Sequence, residues 1–494
     1  MSPTPAADLG LANGALKRRF QGLEFWVCVR SMEMGQSMLT SRVPAGSESA
    51  NGKLHDTAAT LAILNRVLSA YGRRDFALRL WDGTVVPADP GQETLFTLVL
   101  NRPNVLRRIL LPPNELALGE AYLDGDFDLE GDVVAAMRLG DLFEELSLGP
   151  IALADVARRV LAVPHEGPED GGHRAGGQSG RQRAILKGAE HSKRRDQEAI
   201  AYHYNLGNDF YKLFLDRRMV YSCAYFPTGE ENLDAAQEAK LEHICRKLRL
   251  QPGERLLDIG CGWGGLIMHA AERFGVQALG ITLSQPQADL ANRRIAEAGL
   301  SGRARAMVLD YRDLASHGPF DKIVSVGMVE HVGAKKLPEY FRSAWKGLEA
   351  GGLFLNHGIT AAGKDKGSYN PLDRYVFQRG AFIRKYVFPD GELIPLGDML
   401  GIAERTGFEV RDVESLREHY ALTLRHWVQR LEASRDAALC LVDERTYRVW
   451  RLYMAGTSHA FTTARLSLHQ TLLSKPGRGG EARLPWSRGD LYAN

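Results

Sequence analysis

From residue 254 to residue 360 the chain alternates short apolar runs with mixed polar stretches. "ERLLDIG" (254–260), "VQALGITL" (276–283), "ARAMVLD" (304–310), "DKIVSVG" (321–327) and "GLFLNHGIT" (352–360) are rich in Leu, Ile and Val. Continuous apolar runs of this length suit strands buried on both faces, and amphipathic segments lie between most of them. The rhythm predicts an α/β fold with a doubly wound, mostly parallel, Rossmann-like sheet. Ligands of such sheets bind beyond the C-terminal strand ends. Asp258, Thr282, Asp310, Glu330 and His357 stand at those ends. Upstream, "FALRLWDGTVV" (76–86) sets an Asp82-Gly83 turn between strand-like runs, and "TLFTLVL" (94–100) follows. These predict a smaller α+β domain.

A chain of 494 residues calls for two or three domains. The composition shifts place a mobile arm at 1–54, a first domain at 55–162 and a flexible Gly-, Pro- and charge-rich linker at 163–189. A larger domain follows at 190–475, then a polar tail at 476–494 broken by Leu484, Trp486 and Leu491. The acidic stretch "GEAYLDGDFDLEGD" (119–132) fails as a calcium loop, because Leu129 falls where the loop needs glycine and Ala135 where it needs glutamate. A solvated loop is expected there.

The net charge of +2 excludes a dedicated polyanion binder, so no nucleic-acid partner is expected. Local basic runs remain at Lys17-Arg18-Arg19, at Lys193-Arg194-Arg195, and at Arg445, Arg448 and Arg451. Five cysteines without a CxxC pair fit a reducing, cytoplasmic setting and offer no metal site. No uncharged run reaches the length of a membrane-spanning helix.

"LLDIGCGWGGL" (256–266) places Gly260, Gly262 and Gly265 in GxGxxG spacing between a strand and a helix. Alone, this pattern is shared by nicotinamide, flavin and S-adenosylmethionine sites. Asp258, two residues before the first glycine, is awkward for a pyrophosphate but suits the ammonium and sulfonium charges of S-adenosylmethionine. The second strand runs into Thr282, Ser284 and Gln287, without the acid that a dinucleotide site places there for its ribose. Both features favour S-adenosylmethionine. A glycine turn that merely packs helix on sheet leaves Asp258 unexplained.

"HYNLGNDFY" (203–211), "YSCAYF" (221–226), "LDIGCGWGG" (257–265), "GITLSQPQ" (280–287), "DYRDL" (310–314), "VSVGMVEHVG" (324–333), "LNHGIT" (355–360), "KYVFPDG" (385–391) and "HYALTLRHW" (419–427) run in the order found in one family. Residues 190–475 resemble the cyclopropane-fatty-acyl-phospholipid synthases and mycolic acid cyclopropane synthases. The first domain resembles, more loosely, that of the bacterial phospholipid enzymes, which implies a lipid- or substrate-associated domain at 55–162 and an S-adenosylmethionine-dependent catalytic domain at 190–475. The resemblance implies transfer of a methylene group from S-adenosylmethionine to a cis double bond of phospholipid acyl chains. It implies a carbocation that loses a proton to bound bicarbonate before the ring closes. By matching, Glu330 hydrogen-bonds bicarbonate, joined by the backbone of Cys223, the pair His357 and Ile359, and Tyr420. Tyr221, Ser222, Gly260, Gly262, Thr282, Leu283, Gln287, Asp310 and Tyr311 match the cofactor site, together with Asp258. The resemblance also implies a homodimer and peripheral contact with the inner face of the membrane. Three positions depart from the family. Asn205 stands where Asp is common, which softens one hydrogen bond of the cofactor lid. Thr457 replaces a cysteine that some members carry near the acyl tunnel, and Gly358 follows His357 at a variable position.

Blander readings stand beside these. Cys223 fits a small buried hydrophobe, His357 a satisfied core histidine, and Tyr447, Trp450, Arg451 and Tyr453 a helix with snorkelling arginines. A membrane-surface role for that helix, or for Lys193-Arg194-Arg195, is a further expectation. Other outcomes for the chain are a methyl-branched or methylene fatty acid, methylation of a small amine, and a scaffold with a dead enzyme domain. The intact cofactor loop weighs against the last of these. The Cys223, Glu330, His357, Ile359 and Tyr420 set favours ring closure.

Overall fold

Residues 50–111, 114–145, 158–161, 186–204, 206–361, 380–482 and 484–492 are described in a computed structural model of the chain. Most of the expected arm, most of the expected linker and Asn205 lie outside these residues; the last residues of the arm, from Ala50, begin the helix Ala50–Leu68. Met1–Leu54 and His55–Asn494 form separate units, and both β-sheets belong to the second.

The apolar runs of the large domain become strands β5 (Arg255–Ile259), β6 (Gln277–Thr282), β7 (Ala304–Val308), β8 (Phe320–Val326) and β9 (Leu348–Ala361) of one sheet. The four strands before them are β1 (Phe76–Arg79), β2 (Val85–Val86), β3 (Phe96–Leu100) and β4 (Phe127–Gly131). Three follow: β10 (Ile394–Pro395), β11 (Glu409–Ser415) and β12 (Leu466–Ser474). The large sheet runs β11-β12-β9-β8-β5-β6-β7, with β10 alongside β9. Its β5–β9 part is parallel throughout; β12 and β11 close one edge antiparallel. The chain moves outward from β5 to β7, then returns to lay β8 on the other side of β5. That reversal opens a crevice at the C-terminal ends of β5 and β8.

The small sheet runs β2-β1-β3-β4, with β1 and β3 parallel and the other pairs antiparallel. It shares one apolar core with the catalytic part, in which Phe76, Phe96, Tyr122 and Leu129 join Phe210, Trp427, Trp450 and Met454.

The acidic stretch 119–132 is not a solvated loop. It ends the helix Glu115–Leu123 and then forms β4, and its acids meet arginines, three of them from far along the chain. Asp124 pairs with Arg108 and Arg445, Asp126 with Arg108, Asp128 with Arg448, and Asp132 with Arg425. Alternating Phe127 and Leu129 carry the strand signal that the surrounding charges obscured.

The helix Glu444–Thr462 is likewise not a membrane-surface element. Tyr447, Trp450, Arg451 and Tyr453 are all buried. Arg451 donates to Glu432 Oε1 at 2.7 Å, Tyr122 Oη at 2.8 Å and the Leu129 carbonyl at 2.9 Å. The run Lys193-Arg194-Arg195 is also engaged, with Asp313, Glu198 and Asp390 respectively. In the tail, Leu491 is buried while Arg488 and Asp490 bind Asp412 and Arg249; Trp486 is fully exposed. Among the described residues no helix is long and apolar enough to cross a membrane.

Candidate active site

β5 delivers Asp258 to the crevice, and the backbone then turns sharply. Gly260 has φ +87°, where a side chain is strained, and a Cβ there would press on Met328 at 3.2 Å. The Gly260 and Cys261 amides both donate to the Ile281 carbonyl at 2.9 Å, which pins the loop to β6. The helix Gly265–Arg273 then starts behind it.

A cavity opens over this loop. Of the residues expected at the cofactor, Tyr221, Ser222, Asp258, Gly260, Gly262, Thr282, Leu283, Gln287 and Tyr311 line it. Thr282 donates to Gln287 Oε1 at 2.7 Å, so the end of β6 and the next helix form one wall. Asp310 does not line the cavity. Its carboxylate accepts from the Arg312 amide at 2.9 Å and pairs with the Arg312 guanidinium at 2.6 Å, leaving its neighbours Leu309 and Tyr311 to face the space.

Asp258 Oδ1 is buried without a hydrogen-bond partner. Burial pushes its carboxyl up to about 7, against the pull of Lys240. A sealed acceptor of this kind fits a cationic ligand group, and the cavity with its glycine turn fits S-adenosylmethionine. Lys240, Tyr204 and Trp263 also line the cavity and were not singled out in the sequence. His331 lines it too, and burial holds its imidazole neutral by lowering it to about 4.

A second cluster lies on the β8 side. Glu330 follows β8 in a short turn, Val329–His331. Its Oε1 accepts from the Ile359 amide at 2.7 Å, while Oε2 is buried without a partner. Burial raises this carboxyl to about 7, opposed by the Ile359 amide. His357 stands two residues before Ile359 on the same face of β9. Its Nδ1 meets Gln470 Nε2 at 3.2 Å and its Nε2 has no partner. Burial keeps it neutral, helped by the Lys240 and Lys247 charges.

Cys223 is fully buried and its thiol is pushed up by burial, so the side chain is inert as a nucleophile. Burial also raises the phenols of Tyr204, Tyr420 and Tyr453, and the field of Glu330 adds to each. Cys223 acts on Tyr420 in the same way. Cys223, Glu330, Ile359 and Tyr420 thus converge, with Tyr204 and Tyr453 as members the motifs did not reveal. Tyr221 stacks on Trp427 at 5.0 Å and closes the aromatic wall between the two clusters.

Gly358 is required by packing. A Cβ there would lie 2.3 Å from Val329 Cγ1 and 3.6 Å from Glu330 Oε1. Gly358→Ala is expected to cost about 1–3 kcal/mol by overpacking. It should lower turnover more than cofactor affinity; thermal melting, single-turnover rates and calorimetry check this.

Residues 191–471 match the family model for mycolic acid cyclopropane synthetase, and residues 63–139 match a domain of unknown function. The chain belongs to the mycolic acid cyclopropane synthetase family. It is a methyltransferase dependent on S-adenosylmethionine. A probable fatty acid methyltransferase of Pseudomonas putida is 41% identical over 84% of this chain and 95% of its own length. The cyclopropane-fatty-acyl-phospholipid synthase of Escherichia coli is 33% identical over 77% of this chain and 88% of its own. A crystal structure of a mycolic acid cyclopropane synthase complexed with SAH and CTAB superposes with a TM-score of 0.53 at 34% identity, covering 56% of this chain and 97% of that one. Lipid modification by one-carbon transfer is common ground among these relatives.

Proposed function

We propose that this methyltransferase converts cis double bonds in the acyl chains of membrane phospholipids to cyclopropane rings. The observation that carries the proposal is Glu330 Oε2, buried without a partner while Oε1 is held by the Ile359 amide; His357 Nε2, two residues before Ile359 on β9, is a further buried atom without a partner. Such groups suit a small hydrogen-bonded anion. Glu330, His357, Tyr420, the Ile359 amide and the Cys223 backbone would hold bicarbonate. Bound there, bicarbonate would supply the base that takes a proton from the newly transferred carbon. Bound S-adenosylmethionine supplies that carbon as an electrophilic methyl group.

The protein's own residues prepare both events. The alkene is a weak nucleophile, so it must be aligned with the methyl group in a dry space. Tyr204 and Tyr221 give the cavity aromatic faces, which stabilise a cationic chain, and Trp427, Trp450 and Tyr453 pack behind them. A neutral His357 carries one ring proton and can donate it to an anion without competing as a cation. The substrate lies in a bilayer, so the enzyme meets it at the membrane surface.

The test is incubation with S-adenosylmethionine and liposomes of cis-monounsaturated phospholipid, read by mass and proton spectra of the acyl chains. Gain of one CH2 with loss of the olefinic protons and new upfield ring protons is expected. Gain of one CH2 with an alkene retained would establish the alternative, a methyl-branched or methylene fatty acid, which the name of the Pseudomonas putida relative favours. An unchanged lipid would overturn the acyl-chain reading.

A further inference from the structure

Lys240 lies in the helix Leu233–Lys247, is only 2% exposed, and lines the cofactor cavity. Lysine is rarely sealed to this depth without an anionic partner. Its Nζ donates to the Ser222 hydroxyl at 3.0 Å, and among the described residues no carboxylate lies within ion-pair distance. Asp216 contributes to its field, but the oxygens of that carboxylate accept from the Arg218 and Val220 amides, each at 2.8 Å. One helical turn earlier, Gln237 Nε2 donates to the Ser222 carbonyl at 2.8 Å. The helix therefore fixes Ser222 twice, by backbone and by side chain. Because the Ser222 oxygen accepts from lysine, its own proton is free to point onward.

The methionine end of S-adenosylmethionine brings a cation and an anion together. Asp258 offers an acceptor for the ammonium, and the α-carboxylate needs a donor. We infer that Lys240, acting with Ser222, receives that carboxylate and so selects nucleosides that carry an intact amino-acid end. Lowering of the ammonium to about 8 by burial agrees with a cation awaiting its counter-charge. The inference rests on the cavity being the S-adenosylmethionine site.

Titration calorimetry of the full chain with S-adenosylhomocysteine and with its decarboxylated analogue, which keeps the amine, tests this. The wild type should prefer the intact ligand. Lys240→Met should weaken the intact ligand by about ten- to a hundredfold, the size of a lost charge-assisted hydrogen bond. It should leave the decarboxylated analogue within about twofold and so erase the preference. Ser222→Ala should show the same selective loss to a smaller degree, which keeps the test open if Lys240→Met does not fold. Equal loss for both ligands, or no preference in the wild type, would overturn the inference while the cofactor assignment stands. Failure of the wild type to bind S-adenosylhomocysteine would overturn both.

Discussion

Glu330→Gln is expected to lower turnover by about a hundred- to ten-thousandfold while leaving S-adenosylhomocysteine affinity within about twofold. The carboxylate stands apart from the residues that line the cofactor cavity, so binding and chemistry separate at this residue. The same change should make the ligand-free protein more stable at pH 8. Burial holds the Glu330 carboxyl at about 7, against an ordinary value of 4.5. Between those two values the folded protein keeps a proton that the unfolded chain has released, so stability falls as pH rises through that window. Glutamine carries no such titration. The gain, about 1–2 kcal/mol after allowing for relaxation around the buried group, is full above pH 7 and vanishes below about pH 4.5. Melting curves at pH 8 and pH 4.5, set beside single-turnover rates, check both halves. Retained turnover would remove Glu330 from the chemistry, and an equal shift at both pH values would refute the titration argument.

Arg451→Met has the largest expected effect on stability. Removing the guanidinium strands the Glu432 carboxylate and the Tyr122 hydroxyl, both of which it now binds. Arg451 is buried and Glu432 partly open to solvent, so breaking the pair and orphaning the Tyr122 hydroxyl costs about 2–4 kcal/mol. Denaturant titration should show that loss, because the small sheet and the catalytic sheet share one core. Glu432→Gln combined with Arg451→Met should recover part of it. A loss below about 1 kcal/mol would mean the pair behaves like an exposed one.

The catalytic sheet was legible because parallel strands, covered on both faces, must be apolar along their length, and β5 to β9 are. Their C-terminal ends exposed Asp258, Thr282 and Glu330 as the polar exceptions. β12 was hidden for the opposite reason. His469, Gln470 and Thr471 interrupt its apolar run, yet each is paired across to β9, with Thr360, His357 and the Asn356 carbonyl. Lys240 was illegible in "AQEAKLEHICRK", where a lysine on an amphipathic helix looks like solvent-facing charge. Asp310 shows the converse. An acid at a strand end resembles a ligand contact, and only the fold shows that Arg312, two residues on, takes it. Charge pairing depends on partners that sequence spacing does not reveal, as Asp124, Asp128 and Arg451 show.

The core shared by the small sheet and the helix Glu444–Thr462 also bears on how the chain is made. β4 ends at Gly131, and that helix begins roughly three hundred residues later. At ribosomal speeds of about 5–20 residues per second, the small sheet emerges on the order of 15–60 s before its cover has been synthesised. During that interval Phe76, Phe96 and Leu129 have no Trp450 or Met454 to pack against. The nascent N-terminal segment therefore waits with an apolar face open to water until residues 444–462 have emerged to cover it.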